Sequence, residues 1–305
     1  MITTQPSDVL ADATWIDLFD PTPEEVARVR EATGLRVPTK HDVSEIESSS
    51  RLGFEDGAFY VSTPLVQRSN DEELALAPVG FVLSARRLLT VRFTATGSLD
   101  EARAECSKVG VASAEAAFLR IFETIVDGAA DALEHAGNTS DELTRSIFRA
   151  RSDKSDGLRA ALQQIGRTAH RTSQIRDALL GVGRIASFVT ESSLPGAPPV
   201  NTGRMRAVRT DITSLMEYEA RVSSNLQFLL DATLGFISFE QNEVVKTLTI
   251  ASVVGVPPVV VAGIYGMNFR SMPELAWPLG YPMALALIVV SALIPLYAFK
   301  RRGWM

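Results

Sequence analysis

Cysteine is almost absent from this chain, which contains only Cys106 among its 305 residues. A single cysteine excludes an intrachain disulfide and a cluster of thiolate ligands around a metal ion. Histidine is also scarce, and the three histidines, at positions 41, 135 and 170, lack the spacing of zinc ligands. No phosphate-binding glycine loop, nucleophile elbow or pair of catalytic carboxylates occurs either, so the sequence indicates that the protein is not an enzyme.

The chain also has no excess of positive charge. Its 30 lysines and arginines are outnumbered by 36 aspartates and glutamates, which gives a net charge of −6 at pH 7. This balance gives no reason to expect nucleic acid as a partner. The first residues, Met-Ile-Thr-Thr-Gln-Pro, lack the charged-then-apolar pattern of a secretory signal. We therefore expect the soluble part of the protein to lie in the cytoplasm.

The first part of the chain predicts short strands that alternate with helices. Thr22 and Glu25 form a capping box at the start of one helix, and Gly34 is suited to end it. Apolar residues recur at helical spacing over residues 113–133. We expect an α/β domain at residues 1–136, with a mixed sheet flanked by helices. Its strands are expected at four β-rich runs: residues 14–18, 58–63, 78–84 and 88–93.

A long helical region follows this domain. Residues 140–189 are helical in pattern and strongly charged, and the proline-rich run at 194–199 interrupts the pattern. Beyond Gly203 the helical pattern resumes and meets no proline until Pro257. A helix of about 54 residues would extend roughly 80 Å at 1.5 Å per residue. Such a helix must be a coiled coil, a stalk or a helix that enters a membrane.

Two apolar segments near the end of the chain are long enough to cross a bilayer, since a span needs about 20 such residues. A buried hairpin of core helices is the alternative. The cluster Lys300, Arg301 and Arg302 places both chain ends in the cytoplasm by the positive-inside rule. The resulting segments are an α/β domain (1–136), a helical arm (137–200), a stalk helix (201–243), a first span (244–264), an external loop (265–280), a second span (281–299) and a basic tail (300–305).

The tripeptide Gly266-Met267-Asn268 lies between the two spans. A polar amide at the end of a span is costly unless it faces water or an ion, so this position predicts a pore entrance. Two spans cannot enclose a hydrated path, and we expect several copies in a closed ring. One face of the first span suits either a pore wall or a helix-packing surface. Its residues are Asn242, Val245, Thr249, Ser252, Val256, Val259 and Gly263.

Four stretches near the end of the chain resemble the CorA family of divalent cation channels. They are residues 242–249 (Asn-Glu-Val-Val-Lys-Thr-Leu-Thr), 263–269 (Gly-Ile-Tyr-Gly-Met-Asn-Phe), 272–275 (Met-Pro-Glu-Leu) and 280–282 (Gly-Tyr-Pro). The resemblance implies a funnel-shaped homopentamer in the inner membrane. It further implies that the pentamer conducts Mg²⁺, and in some members Co²⁺ or Ni²⁺, into the cytoplasm. The membrane potential would drive this influx, and intracellular divalent cations would gate it.

The resemblance also implies roles for individual residues. Gly266, Met267 and Asn268 would form the selectivity filter, and Asn242 a polar ring at the cytoplasmic end of the pore. Leu248 would be a hydrophobic constriction of the pore. The remaining assignments are Val245 and Val256 at positions where relatives can carry methionine, Asp231 as an acidic ring, and Lys300, Arg301 and Arg302 as a basic collar. Two of these assignments have an alternative. Asp231 could instead be a solvated stalk residue, and the basic tail could instead anchor the chain to lipid.

Two features depart from the family pattern. Regulatory Mg²⁺ in relatives is bound by one acid of the α/β domain and one of the stalk. Asp42 fits the first position, but Ala207 stands at the second and the nearest acid is Asp211. The Asp42–Asp211 pair is thus one hypothesis, and absence of the site is the other. The second departure is the pair Pro257-Pro258, which predicts a kink near Val254 because each proline leaves a carbonyl without its helical N–H.

Other functions remain open at the level of the sequence. A transporter of zinc or another divalent cation on the same scaffold is the first alternative to a Mg²⁺ channel. The Met-Pro-Glu-Leu stretch at 272–275 resembles the magnesium-type members more closely than the zinc-type branch. The second alternative is a membrane-anchored scaffold or sensor that does not conduct ions.

Overall fold

The computed structural model describes residues 1–7, 9–45, 51–67, 75–149, 155–192, 194–268 and 272–304. The chain divides into two compact units. One unit comprises Met1–Asp153 and Arg159–Leu230, and the other comprises Lys154–Leu158 and Asp231–Met305. The first unit contains the sheet, and the second contains both segments that were predicted to cross a membrane.

A six-stranded mixed sheet lies in the first unit, in the order β1-β2-β6-β5-β4-β3. The pair β2–β6 is parallel, and the other pairs are antiparallel. The four predicted strands are all present, although two of them are longer than predicted, and β1 and β3 were missed. The strands are β1 (Ile2–Gln5), β2 (Trp15–Phe19), β3 (Leu52–Glu55), β4 (Ala58–Gln67), β5 (Ala75–Ser84) and β6 (Leu88–Arg92).

The helices are α1 (Pro23–Thr33), α2 (Lys40–Ser44), α3 (Gly97–Val109), α4 (Ala114–Arg149), α5 (Ser155–Glu191), α6 (Thr202–Tyr265) and α7 (Gly280–Arg301). Helix α1 has its predicted bounds, whereas the helical run predicted at 140–189 is divided between α4 and α5. Helix α4 continues well beyond residue 133, so residue 136, the expected end of the α/β domain, lies inside it. The sequence did not predict α2 or α3. The proline-rich run predicted to break the helical pattern does lie between α5 and α6.

Both faces of the sheet are covered by apolar side chains. Successive residues of a strand point to opposite faces, so Phe81 and Val82 of β5 belong to different clusters. The Phe81 ring packs against Phe118 and Phe122 of α4, with ring centres 6.1 and 5.6 Å away. On the other face Val82 belongs to the cluster that contains Val29 of α1. The predicted sheet flanked by helices is thereby confirmed.

Local sequence signals explain where α1 begins and ends. The Thr22 hydroxyl accepts a hydrogen bond from the Glu25 amide (3.3 Å), and the Glu25 carboxylate accepts one from the Thr22 amide (3.0 Å). Gly34 ends the helix with a φ of 73°, a left-handed conformation in which a side chain would be strained. The capping box and the glycine terminus are therefore both confirmed.

A buried ion pair that the sequence did not reveal connects β2, β6 and α3. Arg92 Nη2 lies 2.8 Å from Asp17 Oδ2 and 2.7 Å from Asp100 Oδ1. Arg103 Nη1 lies 3.2 Å from the same Asp17 oxygen. The other Asp17 oxygen accepts a hydrogen bond from the Thr90 hydroxyl at 2.6 Å. Because these groups come from strands paired in parallel and from the helix that follows, they fix α3 against the sheet.

Candidate functional site

Two helices of the second unit are apolar enough to cross a membrane. They are the distal part of α6 (Thr202–Tyr265) and the whole of α7 (Gly280–Arg301), whose most apolar windows have mean hydropathies of 2.0 and 2.2. No part of either window is buried inside the chain (0%). A buried core hairpin, the alternative left open by the sequence, would bury these windows. The exposed apolar surface therefore favours membrane spans.

The tripeptide Gly266-Met267-Asn268 follows directly on the last residue of α6. The Gly266 amide donates to the Ala262 carbonyl at 2.9 Å, which completes the final helical turn. A Cβ atom at position 266 would lie 3.1 Å from that carbonyl oxygen, which is a tight contact. Asn268 is exposed, and its side chain has no hydrogen-bond partner within the described part of the chain. Phe269 of the same motif lies outside the described residues.

A tight turn joins the tripeptide segment to α7. Pro273–Ala276 form a short 3₁₀ helix, and the Gly280 amide donates to the Trp277 carbonyl at 2.9 Å. A Cβ atom at Gly280 would collide with the carbonyl oxygen of Glu274. Only glycine therefore fits at the first residue of α7, which explains one residue of the Gly-Tyr-Pro stretch in structural terms.

The predicted pore face of α6 is exposed in the single chain. Leu248 and Val259 are 66% and 70% exposed, and Asn242, Val245, Ser252, Val256 and Gly263 are exposed as well. Thr249 is half-buried, and its hydroxyl donates to the Val245 carbonyl at 2.7 Å. The exposed residues at this spacing form one continuous surface that is available to water or to other copies of the chain.

The two prolines lie on a different side of α6. Pro257 and Pro258 are half-buried, as is Val254 one turn before them, whereas the predicted pore residues around them are exposed. Helix α6 remains helical through both prolines. A kink near Val254 stays a prediction, as does a role for it in gating.

Charged residues lie at the start of the first span and after the end of the second. Glu243 and Lys246 form an ion pair at 3.5 Å on α6, close to Asn242. Asp231 is exposed further back on the same helix. At the other end of the second unit, Lys300, Arg301 and Arg302 are exposed at the end of α7.

The two acids proposed for a regulatory metal have different surroundings. The Asp42 carboxylate accepts a hydrogen bond from the Thr39 amide at 2.9 Å and from Arg36 Nη1 at 3.1 Å, which stabilises the start of α2. Asp211 is exposed on α6. In the described residues, no group of three His, Cys, Asp or Glu side chains could hold a metal ion. A cation bound by Asp42 would therefore have to compete with Arg36.

The structure groups Asp211 with acids that the sequence did not single out. Asp127 is exposed, but partial loss of its hydration, followed by the charges of Glu123, Asp131, Glu105 and Asp211, raises its pKa above the usual range. Glu123, Asp127 and Asp131 recur every four residues along α4, so they share one helical face. This spacing could have revealed the group, but that stretch was interpreted only through its apolar positions.

Comparisons with known proteins agree with one another on the family. A family model described as "CorA-like Mg2+ transporter protein" matches residues 11–301. Magnesium transport protein CorA of Yersinia pseudotuberculosis is 31% identical over 302 residues, which cover 98% of this chain and 94% of the relative. CorA of Escherichia coli K12 is 30% identical over 306 residues, with the same coverage of 98% and 94%.

A solved structure agrees with the fold. The complete structure of the CorA magnesium transporter from Methanocaldococcus jannaschii superposes with a TM-score of 0.75. It is 20% identical in sequence, and the match covers 95% of this chain and 91% of that one. The α/β domain, the long helix and the two apolar C-terminal helices therefore occur in the same order in a known architecture.

Proposed function

This chain belongs to the CorA family of Mg²⁺ transporters, and from that premise we propose that it forms a homopentameric channel through which Mg²⁺ enters the cytoplasm. The observation that carries the proposal is the exposed Gly266-Met267-Asn268 segment at the end of α6, between two helices apolar enough to span a membrane. A ring of copies would bring these segments together around one axis. The long match to magnesium transport proteins supports Mg²⁺ as the cargo.

The chemistry of the tripeptide suits a hydrated divalent cation. Mg²⁺ gives up its bound water reluctantly and prefers oxygen ligands, so a filter can recognise it through its water shell. The Asn268 amide oxygens of the ring would accept hydrogen bonds from that water. The C-terminal end of α6 adds a partial negative charge, because helix dipoles sum towards that end. Contacts of this kind are weak individually, which lets the ion leave again.

The exposed face of α6 would form the wall of the pathway. Asn242 supplies a polar ring at its cytoplasmic end, and Leu248 a constriction that blocks ions when it is dewetted. Valines at positions 245 and 256 are shorter than the methionines found in some relatives, so they narrow the pathway less. The membrane potential contributes about 2.3 kcal/mol per unit charge per 100 mV, or twice that for Mg²⁺. No chemical step is then needed to drive influx.

Cytoplasmic cations would regulate the channel at the pair Asp42 and Asp211. A cation shared by Asp42 of one copy and Asp211 of the next would neutralise part of the acidic group around Asp127. Arg36 has to release Asp42 for this to happen. Replacing both acids with asparagine should abolish the protection that Mg²⁺ gives against proteolysis of the full chain. Unchanged protection would show that this pair is not the sensor.

The function is tested by ion uptake into vesicles that contain the purified full chain. We expect Mg²⁺ to enter these vesicles and not protein-free vesicles. Co²⁺, Ni²⁺ and Zn²⁺, added separately, rank the ions by how strongly each one competes. Zn²⁺ uptake without Mg²⁺ uptake would support the zinc-transporter alternative. No uptake of any divalent cation by a correctly assembled protein would support a scaffold or sensor that does not conduct.

Cysteine labelling tests the proposed topology. Both chain ends are expected on the cytoplasmic side of the inner membrane, with the loop that contains Asn268 on the outside. In cells, a membrane-impermeant maleimide should label a cysteine introduced at Glu274 but not one introduced at Arg301, in a Cys106→Ala background. Labelling at position 301 alone would show that the chain has the opposite orientation in the membrane.

A further inference from the structure

The end of α7 has a defined conformation that the proposed function does not use. Gly303 adopts a φ of 71°, the left-handed conformation that favours glycine. Its amide donates to the Lys300 carbonyl at 3.2 Å, and the Trp304 amide donates to the Phe299 carbonyl at 3.0 Å. These two bonds constitute a Schellman motif, which ends a helix and turns the chain back against its last turn.

An aromatic contact completes this motif. The Trp304 indole stacks on the Phe299 ring, with ring centres 5.4 Å apart and planes inclined by 24°. A hydrophobic contact between these two positions commonly accompanies a Schellman motif. Trp304 is therefore held beside the final turn of the apolar helix. Tryptophan favours the boundary between the hydrocarbon core and water, and this contact places it where such a boundary would lie.

Three consecutive cations surround the same helix end. Lys300, Arg301 and Arg302 are exposed, and within the described residues none of them forms an ion pair. Helix α7 contains no acidic residue that could neutralise them. Successive helical residues point about 100° apart, so three in a row project in different directions around the axis. The three side chains are spread over about 200° of the helix circumference, so a lipid-facing side wider than about 160° contains at least one of them.

We propose that the α7 terminus, defined as Phe299 to Trp304, binds the phosphate groups of anionic phospholipids in the leaflet where α7 ends. Trp304 sets the depth of the segment, and Lys300, Arg301 and Arg302 attract the headgroups. A basic residue close to an anionic membrane surface contributes about 1 kcal/mol, equivalent to a roughly fivefold preference for each cation. The proposal rests on α7 as a membrane span and not on ion conduction. It selects the lipid-anchor alternative for a tail that the family resemblance assigns to a collar.

Trp304 itself provides the probe for a test with the full chain. Trp15 is buried in the soluble unit, so replacing Trp277 with phenylalanine leaves Trp304 as the exposed tryptophan that lipid can quench. The protein is placed in phosphatidylcholine vesicles that contain a minor fraction of brominated lipid, either phosphatidylglycerol or phosphatidylcholine. We expect several-fold stronger quenching by the brominated anionic lipid. A Trp304→Phe variant supplies the background signal.

Matched substitutions separate headgroup binding from other effects. The double variant Arg301→Gln/Arg302→Gln removes two of the three cations and should abolish most of the several-fold preference for the anionic lipid. Arg206→Gln removes one exposed charge from the soluble unit and should leave the preference unchanged. Gly303→Val should weaken quenching by both lipids, because a β-branched residue is strained at this φ and would displace Trp304.

Three results would overturn the proposal. One is equal quenching by the two brominated lipids, and another is a preference that survives the double variant. The third is a preference that inorganic phosphate removes but chloride at the same ionic strength does not, since the site would then bind soluble phosphate. None of these quenching measurements requires ion flux. A failure of the lipid-binding proposal is therefore distinguished from a failure of the proposed channel activity.

Discussion

Removing the buried Arg92 guanidinium should destabilise the α/β domain far more than removing an exposed one. The side chains of Arg92 and Asp17 are each only 4% exposed, and their closest atoms are 2.8 Å apart. Breaking a buried pair by removing one partner costs about 3–5 kcal/mol, because the other charge stays buried. Arg103, which is 27% exposed, still contacts Asp17 at 3.2 Å. We therefore expect Arg92→Met to cost about 3 kcal/mol, the lower end of that range.

Trp15 reports on this pair directly. Its indole N–H donates to the Thr90 hydroxyl at 3.1 Å, and that hydroxyl donates to Asp17 at 2.6 Å. With Trp277 and Trp304 replaced by phenylalanine, urea unfolding of the full chain in detergent is followed by Trp15 fluorescence.

An exposed ion pair provides the control, and a double variant tests whether Arg92 and Asp17 are energetically coupled. Arg209 pairs with Glu191 at 3.0 Å, but both side chains are exposed (39% and 67%), so Arg209→Met should cost less than about 1 kcal/mol. The double variant Arg92→Met/Asp17→Leu should cost about 1–3 kcal/mol less than the sum of its single changes. Equal losses for Arg92→Met and Arg209→Met, or strict additivity in the double variant, would contradict the account of a buried pair.

Three further predictions concern the acidic group, the loop and the constriction. Asp127→Asn should raise thermal stability at neutral pH by a few tenths of a kcal/mol, because the side chain is exposed and solvent screens the repulsion. The pKa of Asp127 is raised in the folded chain, so its charged form destabilises the fold above that pKa. The stability gained by Asp127→Asn should therefore vanish as the pH falls through this pKa. A gain that persists in acid would refute the prediction. Gly280→Ala should lower the yield of assembled protein in size-exclusion chromatography, since its Cβ collides with the Glu274 carbonyl, and an unchanged yield would show that the turn adapts. Leu248→Asn should raise ion uptake through a constriction that now stays hydrated, whereas slower uptake by an assembled variant would place the barrier elsewhere.

Features encoded by neighbouring residues were predictable from the sequence. The Thr22–Glu25 capping box and the Gly34 terminus of α1 were confirmed because each depends on residues within one or two helical turns. The full length of helix α4 was not predicted, because its apolar spacing was followed only to residue 133 and the charged helical pattern from residue 140 was assigned to a separate arm. Gly137 lies within that helix where a Cβ would collide with Tyr218, so it serves close packing and does not end the helix.

Features that depend on distant residues were not predictable in the same way. Asp17 and Arg92 are 75 residues apart, and only the parallel pairing of β2 with β6 brings them together. The Arg36 contact that occupies Asp42 was also missed, because nothing in the spacing shows which way the two side chains turn. The tripeptide and the two spans were identified from the sequence because they depend on local polarity and hydropathy. The roles of the individual pore residues remain proposals, since they depend on copies of the chain around an axis.

Potential-driven Mg²⁺ uptake by the full chain and its Asn268→Ala variant tests whether the tripeptide forms the filter of a Mg²⁺ channel. Vesicles are prepared with a negative interior potential of set size, and internal Mg²⁺ is followed with a fluorescent indicator. Asn138, an exposed asparagine of α4, supplies the matched control Asn138→Ala.

We expect uptake to rise with the potential in the wild type and in Asn138→Ala. Asn268→Ala should reduce uptake by more than about tenfold, because each copy loses a hydrogen bond to the hydrated ion that is worth about 1.5–3 kcal/mol. Mg²⁺ uptake by Asn268→Ala at the wild-type rate would contradict the proposal that Gly266, Met267 and Asn268 form the filter.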